Sequence, residues 1–451
     1  MNARQYTLLN SVVAAMAGFL FGFDTVVISG ANQPIKILWD TSPWFHGFFI
    51  MSMALWGTVL GALFGGGPTE KYGRKKVLFW IGVLYFVSAV GSALAPDPYS
   101  FSFFRFIGGI GVGVSSVAAP TYIAEISTSS IRGRLVAMYQ FNIVFGILIA
   151  FLSNYFLMGF DGSNDWRWML GVEAIPALAY TLFVLRIPES PRWLISRSNN
   201  LAAAKKILTD LGTTDTETAI REIAESNRTT SGDDSLKEFF SKRLTKPIAL
   251  AFFIAFFNQL SGINFILYYA PEILERAGLA AKDSLFNSIA IGGINLIFTF
   301  VGLYLIDRTG RKNLMILGSI GYIISLSMVA YAFYFGTGEF FLMTFLLLFI
   351  AAHAIGQGAV IWVFIAEIFP NKSRALGQSF GASVHWVFAA VITLVMPVFL
   401  DAKEGLLKDD PWIIFAFFAF MMTLQLIWVL TRFPETKGAS LEEIQKRLGI
   451  S

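Results

Sequence analysis

Long apolar runs constrain this sequence of 451 residues more than any other feature. A bilayer-spanning helix needs about 20 consecutive apolar residues, and about twelve such runs follow one another along the chain. They lie near 8–29, 45–66, 76–95, 101–123, 135–157, 168–186, 247–271, 284–306, 313–335, 340–366, 375–400 and 411–432. Only 14% of the residues are charged, whereas soluble domains carry about 25%. The sequence therefore predicts an all-α membrane protein with twelve transmembrane helices.

Basic residues concentrate in alternate short loops between these runs. Cytoplasmic loops of membrane proteins carry the excess of Lys and Arg, so we expect these loops and both termini on the cytoplasmic side of the plasma membrane. The same side receives one long polar connection, in which 201–212 and 218–227 have the apolar spacing of short amphipathic helices. The basic loops are EKYGRKK (70–76), IRGR (131–134), DRTGRKN (307–313) and NKSR (371–374).

Three phrases from the first half of the chain return in the same order in the second half. EKYGRKKV (70–77) returns as DRTGRKNL (307–314), YIAEISTSSIRGR (122–134) as FIAEIFPNKSRALG (364–377), and PESPR (188–192) as PETKG (434–438). The offsets lie between 237 and 246 residues, which indicates an internal duplication. We therefore expect six-helix halves of parallel topology at 1–188 and 247–432, a cytoplasmic linker with short amphipathic helices at 189–246, and a cytoplasmic tail at 433–451.

These phrases together resemble the motifs of the sugar porter family of the major facilitator superfamily. The resemblance covers nearly the whole chain and rests on GRKK (73–76), RFIGGIGVG (105–113), PESPRW (188–193), QLSGINFILYYAP (259–271), DRTGRK (307–312) and PETKG (434–438). The chain looks closest to the bacterial sugar/proton symporters, which are similar to the facilitative glucose carriers. The resemblance implies two pseudo-symmetric halves with the substrate between them and import of a monosaccharide by proton symport. A proton-independent facilitative uniporter is the alternative.

The seventh apolar run carries side chains suited to a sugar. Amides donate and accept hydrogen bonds, as sugar hydroxyls do, and an aromatic plane matches the apolar face of a sugar ring. Gln259 and Asn264 are five residues apart, which is about 140° around a regular helix. Ser261 and Gly262 between them weaken the helix, so we expect a local break that turns both amides toward one cavity.

The resemblance implies sugar-binding roles for residues in several runs. The positions that match those of sugar porters are Gln140, Gln259, Asn264, Asn295 and Trp362. To these we add three neighbours, Asn258, His385 and Trp386.

The sequence departs from the family around this presumed pocket. Asn258 stands where the family often has the first Gln of a Gln-Gln pair, and His385 stands where an Asn or Gln precedes the Trp. Ala359 replaces a Pro, and Ile147 is apolar where some pentose-selective relatives have Gln. The choice among hexose, pentose and cyclitol therefore stays open.

Three ionisable residues lie in or near apolar runs of the first half: Asp24, Arg105 and Glu173. A charge at bilayer depth costs at least about 2.5 to 3.5 kcal/mol, and such groups usually pair and face an interior. One interpretation is a structural salt bridge. The resemblance implies instead that Asp24 carries the coupled proton, because in the family an acid at this position accompanies proton symport.

A duplicated set of charges flanks the basic loops, with Arg74, Glu125 and Arg132 returning as Arg311, Glu367 and Arg374. Arg forks bind carboxylates and helix C-terminal carbonyls, and we expect them to do so across the seam between the halves. The resemblance implies that they form an inner gate that holds the outward-facing state.

Other classes of function find less support in the sequence. An enzyme would need a nucleophile and a base or a metal cluster, yet the chain has no Cys, three widely spaced His and no H-E-x-x-H phrase. We assign His46 to a loop and His353 to packing. A sugar sensor without flux would usually carry a signalling domain. We expect no cofactor and no metal, and as partners a monosaccharide, the proton and membrane lipid but no nucleic acid, in a monomer.

Overall fold

The computed structural model describes residues 2–230, 239–370, 373–439 and 441–450. Residues 371–372 of the last basic loop and 231–238 of the long connection lie outside it. The secondary structure of the described residues is helical, as the sequence predicts. In the first half the helices are α1 (Ala3–Trp39), α2 (Pro43–Met51), α3 (Met53–Phe64), α4 (Gly66–Tyr72), α5 (Arg74–Leu94), α6 (Pro98–Ile126), α7 (Ser129–Leu157), α8 (Asp165–Gly171) and α9 (Ala174–Val184).

Three short helices follow in the long connection: α10 (Pro191–Ser196), α11 (Leu201–Asp210) and α12 (Thr216–Thr230). The second half contains α13 (Thr245–Gln259), α14 (Ile263–Tyr268), α15 (Ala270–Arg276), α16 (Ala281–Thr309), α17 (Arg311–Phe335), α18 (Glu339–Ile355), α19 (Gln357–Ile368), α20 (Arg374–Leu400) and α21 (Trp412–Arg432). A last helix, α22 (Leu441–Leu448), lies in the tail.

Ten segments of the described chain are long and apolar enough to cross a membrane, and α2 and α3 form one further pair bent by 42°. The remaining predicted run, 168–186, corresponds to α8 and α9, which are separated by Val172 and Glu173. Pro176 accounts for this interruption, because it lacks the N–H that would bond to Val172 and its ring clashes with that carbonyl. Each predicted run therefore has its helix or interrupted pair of helices.

Glycines allow α3 and α6 to touch along their backbones. Gly57 and Gly61 lie one turn apart on α3, as Gly109 and Gly113 do on α6. A Cβ at Gly109 would lie 1.8 Å from the carbonyl oxygen of Ala54 on α3, and one at Gly57 would lie 2.2 Å from that of Phe106 on α6. Small residues at this spacing are typical of membrane helices that pack closely.

The halves meet through three sets of helices. The α7 helix packs against α16, the α2–α3 pair packs against α20, and α1 packs against α14 and α15. We call the end of the bundle with the loops of Arg74 and Arg311 the basic end, and the opposite end, where α1 and α20 finish, the far end. The space between the halves lies along these contacts.

Candidate functional site

The seventh apolar run is broken where the sequence predicts. The α13 helix ends at Gln259, Gly262 has a left-handed backbone (φ 83°), and α14 starts at Ile263. The Ser261 hydroxyl donates to the carbonyl of Asn258 at 2.6 Å and accepts from the N–H of Ile263 at 3.3 Å. Glycine adopts this conformation without steric cost, so Gly262 permits the break and Ser261 satisfies backbone groups beside it.

The break brings the two predicted amides into contact. Asn264 Nδ2 donates to Gln259 Oε1 at 2.8 Å, and Gln259 Nε2 donates to Asn258 Oδ1 at 3.0 Å. The same Nε2 lies 3.1 and 3.2 Å from the ring nitrogens of His385 on α20. Three amides and an imidazole thus form one buried polar cluster, whose donors and acceptors suit a polyhydroxylated ligand.

A cavity of about 120 Å³ lies beside this cluster, between the halves. It is smaller than the roughly 300 to 1,000 Å³ of most ligand pockets, so a sugar would need the surrounding helices to move. Seven of the eight predicted sugar-binding residues line it: Gln140, Asn258, Gln259, Asn264, Asn295, His385 and Trp386.

Trp362 is the predicted residue that does not line the cavity. Its side chain is 37% exposed, and its ring packs against the imidazole of His385, with 5.1 Å between the ring centroids. The aromatic surface at the cavity comes instead from Trp386, whose ring lies 5.6 Å from that of Phe21 on α1. Trp362 is therefore one residue removed from the cavity, behind His385.

The sequence interpretation missed other residues of the wall, among them Phe21, Thr25 and His353. His353 was assigned to packing, but it lines the cavity while its Nδ1 lies 2.7 Å from the Tyr322 hydroxyl. For a single His in an apolar run, the sequence does not show whether the side chain packs between helices or lines a cavity. Its position three residues before Gly356, where α18 ends, is the feature that could have raised the question.

The three predicted ionisable residues of the first half meet in one buried group. Arg105 Nη1 donates to the carboxylate of Asp24, and Nη2 donates to the backbone carbonyl of the same residue at 3.0 Å. Glu173, between α8 and α9, lies close enough to interact electrostatically with both. The three residues are only 1 to 2% exposed. The group is next to the cavity, since Thr25, which lines the cavity, follows Asp24 directly.

The basic end carries two nearly identical charge clusters, one in each half. Arg74 Nε and Nη2 donate to Glu125 at 2.9 and 2.8 Å, and the Ser190 hydroxyl donates to the same carboxylate at 2.5 Å. The backbone N–H of Arg74 donates to Glu189 at 2.9 Å. Burial raises the pKa of the Glu189 carboxyl, and the backbone N–H groups that donate to it act in the opposite direction.

The second cluster repeats these contacts. Arg311 Nε and Nη2 donate to Glu367 at 3.2 and 2.8 Å, and the Thr436 hydroxyl donates to Glu367 at 2.6 Å. The backbone N–H of Arg311 donates to Glu435 at 3.0 Å. The phrases that repeat in the sequence thus make the same hydrogen bonds in both clusters.

In this structure the forks of Arg74 and Arg311 each bind a carboxylate of their own half, and the expected contact across the seam stays a prediction for the outward-facing state. Gly73 and Gly310, with φ of 97° and 96°, turn the chain so that the following Arg lies beside the last turn of α6 or α19. The predicted contact with helix carbonyls is present, since Arg74 Nη1 donates to the Thr69 carbonyl at 3.2 Å.

The remaining two residues of the predicted gate lie outside these clusters. Arg132 Nη2 is 3.5 Å from the carbonyl of Ser127, and Arg374 is the first residue of α20.

Polar contacts join the halves at the far end. Lys36 on α1 forms an ion pair with Asp401 after α20, and Asn32 Nδ2 donates to Glu272 on α15 at 2.7 Å. Asn32 Oδ1 also lies 2.6 Å from Nε2 of His46. His46 is therefore a buried residue in helix α2, and its assignment to a loop was wrong. These contacts close the space between the halves at the far end.

Comparison with known proteins agrees with this architecture. The family model described as sugar (and other) transporter matches residues 10–448. The arabinose-proton symporter of Bacillus subtilis is 34% identical over 98% of this chain and 95% of its own, and the D-xylose-proton symporter of Escherichia coli is 33% identical over the same shares. The partially occluded inward-open structure of the xylose transporter XylE from E. coli superimposes with a TM-score of 0.84 and 31% identity, over 97% of this chain and all of that one.

Proposed function

This chain belongs to the sugar porter family of the major facilitator superfamily, a family of transporters, and from that premise we propose that it imports a monosaccharide by proton symport through alternating access. The observation that carries the proposal is the buried group of Asp24, Arg105 and Glu173 beside a cavity lined with amides. Relatives of similar length are named as proton symporters of arabinose and xylose. Ionisable residues at this depth are costly, and they often mark substrate pathways or proton relays.

The sugar would bind at the cavity between the halves. We assign its hydroxyls to Gln140, Gln259, Asn264 and Asn295, with Asn258 and His385 completing the polar wall and Trp386 providing an apolar plane. The hydrogen bonds among Asn258, Gln259, Asn264 and His385 support this assignment, because a sugar hydroxyl could replace each of them without leaving a polar atom unpaired. Trp362 would reach the ligand only if His385 moves.

Asp24 would carry the proton. A carrier residue must release its proton toward one compartment and take one up from the other, so its partners must change with conformation. Arg105, which donates to the Asp24 side chain in this structure, would release it or turn to Glu173 in another state. One charge moved through 100 mV supplies about 2.3 kcal/mol, enough for roughly 40-fold accumulation with one proton per sugar.

We assign the basic end to the cytoplasm, with both termini there, because it carries the Lys and Arg excess of the short loops. The far end, closed by Lys36 and Asp401, is then the outer end. Arg74, Glu125, Arg132, Arg311, Glu367 and Arg374 would act as an inner gate by holding helix ends within each half and meeting across the seam only in the outward-facing state. We also propose that the chain acts as a monomer in the plasma membrane. Its six-helix halves would be 1–188 and 247–432, with the linker at 189–246 and the tail at 433–451.

The experiment is uptake into proteoliposomes that contain the purified chain, with a labelled sugar, an imposed proton gradient and a pH dye outside. We expect the wild type to concentrate sugar and to make the outside more alkaline. Asp24→Asn should lose both effects, because Asn cannot titrate, and keep sugar binding and energy-independent exchange. Asp283→Asn, an exposed acid on α16, is the matched control and should behave as the wild type.

The same vesicles separate the alternatives. Flux that equilibrates without proton movement would replace symport by facilitative uniport, and binding without flux would leave a sensor. If the Asp24→Asn variant still accumulates sugar with proton movement, Asp24 does not carry the proton, and its pairing with Arg105 is a structural salt bridge. A panel of hexoses, pentoses and cyclitols competed against one labelled sugar at fixed pH then identifies the substrate.

A further inference from the structure

Helix α14 is a six-residue segment isolated by a break at each end. The left-handed Gly262 precedes it, and Tyr269, with φ −113° and ψ 15°, separates it from α15. All six of its residues are buried. Asn264 and Tyr268 are four residues apart and therefore lie on one face of this helix. Their separation along the axis is about 6 Å, so any displacement of one moves the other.

The two ends of this face reach different sites. Asn264 lines the cavity and bonds to Gln259. Tyr268, which is 1% exposed, faces Thr25 where α14 packs against α1, and it lies within electrostatic range of Arg105 and Asp24. The Thr25 hydroxyl donates its proton to the Phe21 carbonyl at 2.7 Å, and its oxygen keeps lone pairs on which a neighbouring hydroxyl such as that of Tyr268 can act.

This contact crosses from one half to the other. Asp24, Thr25 and Arg105 belong to α1 and α6, whereas Tyr268 belongs to the second half. In the described structure, Tyr268 is a side chain from the second half that lies within electrostatic range of the Asp24–Arg105 pair.

We propose that Tyr268 is the positioning residue that couples the sugar site to the proton site. This inference rests on the proposed symport. A sugar that bonds to Asn264 pulls or releases α14, and the Tyr268 hydroxyl moves with that helix relative to Thr25 and the Asp24–Arg105 pair. Occupancy of the cavity thereby changes the polar surroundings of the carboxylate that holds the proton. Tyr268 itself touches neither the transferred proton nor the sugar.

The test is the ratio of protons to sugars moved, measured in one set of proteoliposomes with a pH dye and a labelled sugar. Tyr268→Phe removes only the hydroxyl, and we expect at least a twofold fall in this ratio, with sugar affinity by calorimetry changed by less than threefold. Tyr269→Phe is the matched control. Its hydroxyl donates to the Thr393 carbonyl at 2.8 Å, within the second half, so its loss should leave the ratio unchanged.

Thr25→Val removes the partner hydroxyl from the first half and provides a second variant if Tyr268→Phe does not fold. It should lower the ratio similarly, and the double variant should be no worse than either single one, as residues of one contact are not additive. A wild-type ratio in Tyr268→Phe or Thr25→Val, or an equal loss in Tyr269→Phe, overturns the coupling role while symport stands. A wild type that moves no protons overturns symport and this inference together.

Discussion

Gln259 and Asn264 illustrate how one glycine decides the chemistry of a site. On a continuous helix their side chains would diverge by about 140°, but the left-handed turn at Gly262 places them 2.8 Å apart. A substitution at Gly262 would also bring a Cβ to 2.8 Å from the Phe418 ring. Both the backbone conformation and the packing therefore require glycine, and the polar cluster at the cavity depends on it.

Replacing either amide should weaken sugar binding without unfolding the chain. We expect Gln259→Ala or Asn264→Ala to raise the sugar Kd more than about tenfold, because each leaves sugar hydroxyls unpaired at a cost of roughly 1 to 3 kcal/mol. Calorimetry on the purified variants measures the change.

Asn142→Ala is the control, since Asn142 Nδ2 donates to the Met138 carbonyl of its own helix and does not line the cavity. Equal affinities in the two site variants and the control would remove these amides from the sugar site.

Residues of the site could be predicted from the sequence where a charged or amide side chain interrupts an apolar run. Asp24 and Gln259 did so, because a charge or an amide among apolar residues is costly unless it has a function or a partner. Tyr268 did not, since a Tyr beside other aromatic residues looks like packing. Its role depends on which helix of the other half lies opposite, and nothing local in QLSGINFILYYAP specifies that.

The contact between α3 and α6 is a close helix pairing that glycines permit in the first half, and α6 also carries Arg105. The carbonyl of Ala54 occupies the space where a side chain of Gly109 would begin. Backbone atoms cannot rotate away as a side chain can, so any larger residue must separate the helices.

Gly109→Ala should therefore destabilise the protein by about 1 to 3 kcal/mol through this separation. Gly293→Ala on α16 is the control, as a Cβ there meets no atom within 4 Å, and Ala in a helix is more stable than Gly by up to about 1 kcal/mol. Thermal unfolding in detergent should show a lower Tm for the first variant and an equal or higher Tm for the second. The opposite order would mean that the two helices are not held at this distance.

Most helix boundaries followed from hydropathy to within a few residues, but α1 continues ten residues beyond the predicted end at 29, to Trp39. The break at Gly262 followed from Ser261 and Gly262. The break between α8 and α9 has a signal in Pro176 that apolar length alone does not reveal. The bend between α2 and α3 at Ser52 directly follows a π-helical stretch, His46–Met51, which is a common cause of kinks, and α2 packs there against α20 of the other half. Tertiary contacts of this kind are absent from any local pattern.

At the scale of the whole molecule, the ion pair of Lys36 and Asp401 connects the two halves at the far end. The Asp401 side chain is 4% exposed and that of Lys36 20%, so solvent screens the pair less than it would a surface pair. The repeated phrases lie at the basic end and give no information about the far end. For that reason the sequence predicted charge clusters but not this pair.

Neutralising one partner should favour opening of the far end. The chain has no Cys, so a single Ile50→Cys substitution on α2, at a residue 1% exposed, reports opening through its labelling rate. We expect Lys36→Gln or Asp401→Asn to raise that rate several-fold, because the unpaired charge gains hydration when the halves separate.

Exchanging the charges, Lys36→Asp with Asp401→Lys, should restore slow labelling, and Lys403→Gln on the exposed loop should have no effect. Labelling that stays slow in the single variants, or fast in the exchanged one, would show that this pair does not hold the far end closed.

The two charge clusters at the basic end also bear on how the chain is made. Each joins one half to the residues that directly follow it, and the first needs nothing beyond Ser190. A ribosome that has inserted the first half has therefore already delivered every residue of the Arg74 cluster, and the growing chain can secure these helix ends before α13 exists. The second cluster has to wait for Glu435 and Thr436, which follow α21. Assembly can thus proceed as two successive closures followed by docking.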